Sequence, residues 1–211
     1  MTVFSMHYCK KIKYFLLLGL FLLFASTAMA SNSSLIIKSA ELVAQDDAYT
    51  LNADLDIKFS PKIEVALSKG FELHFLIEFQ LSKPQKYWFD DEIVTVTHTV
   101  ALSYHALSRQ YLVMHGEQQK TFVRLDEAID DLSDISGLKV FQKSEVEKDE
   151  VYKAVLLMRL DAKKLPKALR GDTISSDDWK ISSQRFEWMP NLTVSQTPSL
   201  TPNSVNHELT K

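Results

Sequence analysis

The chain contains one cysteine and five glycines in 211 residues, and each shortage removes a class of chemistry. Cys9 stands ahead of the main apolar run, whereas the lipidated cysteine of a lipoprotein would have to follow such a run. It is expected to leave with the segment that contains it. The remaining protein then has no disulfide, no thiol nucleophile and no thiolate metal site. Five glycines cannot build a phosphate-cradling loop, and neither HExxH nor GxSxG occurs. The apolar run Tyr14–Phe24 has only eleven residues, against the ~20 that a membrane-spanning helix needs.

That short run has a different use. Lys10, Lys11 and Lys13 precede it, and Ala28-Met29-Ala30 follows it with the small-x-small pattern a signal peptidase requires. Residues 1–30 therefore read as a signal peptide cut between Ala30 and Ser31, which sends the protein to the periplasm. An uncleaved anchor in the inner membrane, with the same domain facing the periplasm, is the alternative. Removing this segment, with its three lysines and no acid, leaves 21 basic against 27 acidic side chains. A mildly acidic protein lacks the cationic surface that nucleic acid or anionic lipid would need. No cofactor is expected.

Alternation dominates from Leu35 onward. Leu51, Ala53, Leu55, Ile57 and Phe59 share one face of a strand, with Asn52, Asp54, Asp56 and Lys58 on the other. Phe71, Leu73, Phe75, Ile77, Phe79 and Leu81 repeat the pattern, as do Val94, Val96, His98, Val100 and Leu102. Tyr152, Ala154, Leu156, Met158 and Leu160 form a further buried face, and 179–188 closes the sheet system. Two short helices interrupt the strands. Ser60 and Pro61 start one that stops at Gly70, and Leu125, Ile129 and Leu132 mark a second with Gly137 beyond its end. A hairpin is expected to turn at His115-Gly116. Strands with one dry and one wet face pair naturally as two packed antiparallel sheets. The expected fold is thus a β-sandwich over 31–189 with two short helices in its connections, followed by a disordered tail at 190–211. A single curved sheet backed by the helices is the rival.

Several blocks resemble one bacterial family, the secreted proteins of domain of unknown function 4390. They are 49–75, YWFDDE at 87–92, LSYHALSRQYLV at 102–113, FVRLDEAIDDL at 122–132, VLLMRLDAKKLPKAL at 155–169 and SSDDWKISSQRFEW at 175–188. The ordered set is specific although no single block is. Lys86 and Leu138-Lys139 depart from the family pattern, where an arginine-containing stretch and a tryptophan are expected. The resemblance implies a small envelope protein without assigned activity, often encoded beside a membrane sensor kinase.

Candidate contact residues are Trp88, Asp90, His105 and Arg109, because loops at strand ends carry most binding groups. They point to a non-enzymatic module that binds an envelope protein or a small ligand, a membrane sensor kinase among the partners. A hydrolase or lyase using His105 with Asp90 or Asp91 is a second reading, since a histidine serves as a base near neutral pH. An envelope-assembly role is a third. His98 falls on an apolar face and is expected to be a core residue with one hydrogen-bonded partner. His74 and Glu78 lie about 13 Å apart on one strand, too far to share a metal. The acidic pairs 46–47, 90–92 and 177–178 lack the converging loop and glycine turn of a calcium site. No metal site is expected.

Overall fold

The computed structural model describes residues 32–86, 90–147, 149–166 and 179–192. Residues 1–31, where the signal peptide is expected, Tyr87-Trp88-Phe89, the acidic pair at 177–178 and residues 193–211, where most of the tail is expected, lie outside these residues.

The strands are β1 (Ser34–Gln45), β2 (Ala48–Lys58), β3 (Leu73–Lys83), β4 (Asp91–His105), β5 (Gln110–His115) and β6 (Gln118–Phe122). They continue with β7 (Asp134–Gln142), β8 (Lys153–Leu160) and β9 (Phe186–Trp188). Helix α1 (Pro61–Ser68) joins β2 to β3, and α2 (Leu125–Ser133) joins β6 to β7. Every strand pairing is antiparallel. One sheet has the order β1-β2-β7 and the other β6-β5-β4-β3-β8-β9. The two sheets pack face to face as the alternation predicts, and the single-sheet rival does not hold.

Most positions expected to be dry are dry, while Phe71, Val96 and His98 are half-buried. Leu51, Leu55, Ile57, Leu73, Phe75, Phe79, Leu81, Leu156 and Met158 are all buried. Rings join the sheets: Phe79 of the larger sheet lies 6.1 Å from Phe141 of the smaller one, and Phe141 stacks on Tyr49 at 5.0 Å.

Helix α1 starts and stops where expected, with Pro61 in the first turn and Gly70 at φ +84° beyond its end. Ser60, however, caps with its main chain alone. Its carbonyl accepts from the Ile63 and Glu64 amides, while its buried Oγ has no partner. Helix α2 ends four residues before Gly137, because the chain passes directly into β7, which the sequence pattern did not reveal. Ile135, Val140 and Phe141 are buried there, so tertiary packing overrides the helical pattern. Gly137 stands inside that strand at φ +65°.

One mismatch in strand length shapes the surface. Strand β4 has fifteen residues, but β5 has six and covers only Val100 to His105. Among the described residues, no strand pairs with Asp91–Thr99 on the side away from β3. Helix α2 packs on β2, β4, β5, β6 and β7 at one end of that open side. The rest is left as a cleft.

Candidate functional site

Of the four residues singled out from the sequence, the three that are described do not form one site. Trp88 lies outside the described residues. Asp90 precedes β4 and is ion-paired with Lys153. The hydrogen bond from Lys153 holds its carboxyl below the usual range against a smaller opposing effect of burial. His105 is the last residue of the strand, and Arg109 follows it in the turn to β5. His105 Nδ1 lies 2.9 Å from Ser108 Oγ, and Arg109 is exposed at φ +55°. Strand β4 between them is about 45 Å long at ~3.3 Å per residue. That separation ends the acid–base pairing of His105 with Asp90 or Asp91, and it sets Asp90 apart from His105 and Arg109.

The cleft between β4 and β7 brings other residues together. It encloses about 500 Å³, within the range of ligand pockets. Ile77, Val100, Ile135 and Leu138 line it with apolar surface, while Thr97, His98 and Thr99 bring the unpaired edge of β4 into it.

The direction of that edge follows from hydrogen bonding. The amide of Asp161 donates to the carbonyl of His74 across 2.7 Å, so even-numbered residues of β3 face β8. Odd-numbered residues of β3 therefore face β4, and their even-numbered partners in β4 face back toward β3. The main-chain N–H and C=O groups of Thr95, Thr97 and Thr99 consequently point to the open side. The β5–β6 turn agrees. His115 and Gln118 flank a two-residue turn, Gly116-Glu117, one position further on than the expected His115-Gly116. Flanking residues of such a turn bond to each other, which turns His115 away from its β4 neighbour Val100.

Other outer strands of the two sheets carry features that stop a sheet from growing. Strand β1 has a register irregularity between Ile37 and Ser39, with Lys38 beside it. Strand β6 carries Lys120, β9 has three residues, and β7 is irregular near Gly137. The stretch Ile93–Thr99 carries neither a lysine, an acid nor a proline.

The slot is closed at one end by the β5–β6 hairpin and α2. His115 Nε2 lies 2.8 Å from Asp131 Oδ2, and Lys120 Nζ lies 2.5 Å from the other carboxylate oxygen. Burial pushes the Asp131 carboxyl up, but the hydrogen bonds from Lys120 and His115 outweigh it and leave its pKa below the usual value. This cluster ties the hairpin to the helix. Close by, half-buried His98 points inward, as its place on the apolar face requires. Its buried Nε2 has no hydrogen-bond partner among the described residues, contrary to the expectation for a core histidine. No group of three or more metal-ligating side chains with ligand geometry occurs among the described residues.

Ser136 and Lys139, both at the cleft, have the Ser-x-x-Lys spacing of serine–lysine nucleophile pairs. Here they stand on a strand, and Ser136 Oγ donates to Asp134 Oδ1 at 2.7 Å. The Ser136 hydroxyl is thus engaged by a carboxylate, and no hydrogen bond joins it to Lys139 among the described residues.

Among the described residues, no helix is long and apolar enough to cross a membrane. No curated protein and no solved structure matches the chain. A family model does: residues 32–189 match the one described as Domain of unknown function (DUF4390), a span that contains every block of the resemblance noted in the sequence. The chain belongs to the DUF4390 family.

Proposed function

We propose that this chain is an exported envelope protein that acts as a non-enzymatic binding module, taking one extended segment of a partner protein into the slot beside β4. One observation carries the reading: Thr95, Thr97 and Thr99 turn their main-chain groups to the side where no described strand meets them, and Thr97 and Thr99 line the cleft there. Main-chain donors and acceptors must be paired with protein or water, and an added strand satisfies a whole row at once. From Thr95 to Thr99 the edge runs about 13 Å, enough to pair with a segment of five residues. Export is supported by the lysines, apolar run and Ala28-Met29-Ala30 motif of the first thirty residues. A periplasmic loop of a membrane sensor kinase is one partner consistent with the family resemblance.

A single segment fits better than a second copy. Two β4 edges paired over Asp91–Thr99 about a two-fold axis would bring Asp90 of each chain against the β5–β6 turn of the other.

The test is a heptapeptide library selected on the purified protein, followed by residue-resolved amide exchange. Thr95, Thr97 and Thr99 are expected to exchange fast alone and slowly with a selected peptide. Thr97→Pro, which removes one outward donor at an edge that tolerates proline, is expected to abolish binding, while Thr97→Val retains it. Peptides that leave these three amides fast would refute the reading. So would a dimer in which they are already protected.

A further inference from the structure

We infer that the end of the sandwich formed by α1 and the β4–β5 turn docks on an anionic phospholipid surface, with Leu107 entering the bilayer and lysines around it facing phosphate. This surface stands apart from the slot beside β4 and does not depend on it.

The net acidity of the chain hides a separation of charge along the strands. One group of strand ends and connections meets at a single end. Phe59 stacks on Phe75 at 6.0 Å, Leu73 pairs with Leu102, and the Asp161 and Leu160 amides donate to the carbonyls of His74 and Ile181. Residues 58–72, 104–110, 161–166 and 179–181 make up this end and carry seven basic against three acidic side chains. The described residues at the opposite end, within 45–48, 83–92 and 143–153, carry four basic against nine acidic ones. Strand β4, about 45 Å long at ~3.3 Å per residue, separates the two. That is several screening lengths of ~8 Å, so each end meets its surroundings with its own charge.

The basic end also carries apolar groups in water. Strand β4 continues to His105, three residues beyond Leu102, which pairs with the start of β3, so the turn that follows stands out from the sheet. Leu107 in that turn is 93% exposed, and Arg109 follows it. On α1, Ile63, Ala66 and Leu67 are buried while Val65 faces outward, with Lys62 three residues before it and Lys69 four after. Lys163 and Lys164 are exposed in the connection after β8. Of the three acids, Glu72 lies 3.4 Å from His74, and the buried Asp161 accepts from the Lys163 amide. Only Glu64 is left to oppose the cations.

Isolated apolar tips among cations suit a bilayer, which yields to a side chain and spreads phosphate charge over a wide area. An acidic protein would instead need a continuous desolvated patch around its anchors. The chain also enters the domain at this end, since Ser34 pairs with Lys58.

The test uses vesicles of phosphatidylglycerol and phosphatidylcholine, compared with phosphatidylcholine alone. Cys9 is the only cysteine, so Cys9→Ser combined with Leu107→Cys or Asp46→Cys places one environment-sensitive fluorophore at either end. The label at 107 is expected to shift to the blue on anionic vesicles and to return in high salt, while the label at 46 stays unchanged. In sedimentation of the protein beginning at Ser31, Leu107→Ser should weaken binding about tenfold. Lys163→Glu with Lys164→Glu should weaken it at least about twentyfold, at about fivefold per cation, and Lys143→Glu at the far end should not. Leu107, Lys163 and Lys164 are exposed, so unchanged thermal midpoints are expected for these variants. Equal shifts at both labels, or no binding to anionic vesicles, would overturn the proposal. Binding to polyglutamate but not to vesicles would also overturn it and assign this end to an acidic protein.

Discussion

Asp131 receives two donors at once, from His115 on the last residue of β5 and Lys120 on β6. Its carboxylate is mostly buried, with 13% of the side chain exposed, so neither donor can be exchanged freely for water. Because the folded pKa is lowered, its contribution is complete above the unfolded value of about 4 and disappears as pH falls through the folded value. Asp131→Asn is expected to lower stability by about 1–3 kcal/mol at neutral pH in urea titrations. The difference from the native protein should shrink in acid, and parallel pH curves would contradict the assignment. Phe79 answers a different question, the integrity of the core. It is 1% exposed between Phe141 and Trp188, and Phe79→Ala should cost about 3–5 kcal/mol.

The β5–β6 hairpin is the element that closes the slot, and it depends on one backbone conformation. Gly116 has φ +60° at the first position of the turn, with no atom within 4 Å of where a Cβ would stand. A side chain there meets only the intrinsic penalty of the left-handed region, about 1–2 kcal/mol. Gly116→Val should lower the thermal midpoint accordingly and speed amide exchange across β5 and β6; unchanged exchange would refute this. Elements also show what the sequence discloses. Strands β2, β3, β4 and β8 were legible because Leu51 to Ile57, Leu73 to Leu81 and Ala154 to Leu160 alternate without interruption. Strand β7 was not, since Ser133-Asp134 offers no turn and Gly137 imitated a helix stop. The site was legible only in part. Alternation placed His98 inward, but its missing partner depends on β5 ending at His115, and the Asp131 contact joins residues sixteen positions apart through a helix. Loop position drew attention to Asp90 and His105, whose separation follows from the length of β4 alone.

For the molecule as a whole, the mildly acidic balance and the N-terminal signal pattern lead to one mass measurement. The secreted protein is expected to have an intact mass beginning at Ser31, and a membrane-bound species retaining residues 1–30 would establish the anchored alternative. Light scattering should find one chain per particle. A dimer would redirect attention from a partner segment to self-pairing of β4.

The uncharged edge of β4 also has a cellular consequence. A row of open main-chain groups flanked by valine and threonine is a nucleus for uncontrolled sheet growth. A partner segment lying there would act as a solubilising cover, so chains produced in excess of that partner should precipitate first. Thr97→Lys should raise the concentration at which the protein aggregates, and the same lysine should weaken capture of the partner. This edge would then make abundance, rather than affinity, the quantity that the cell has to hold in balance.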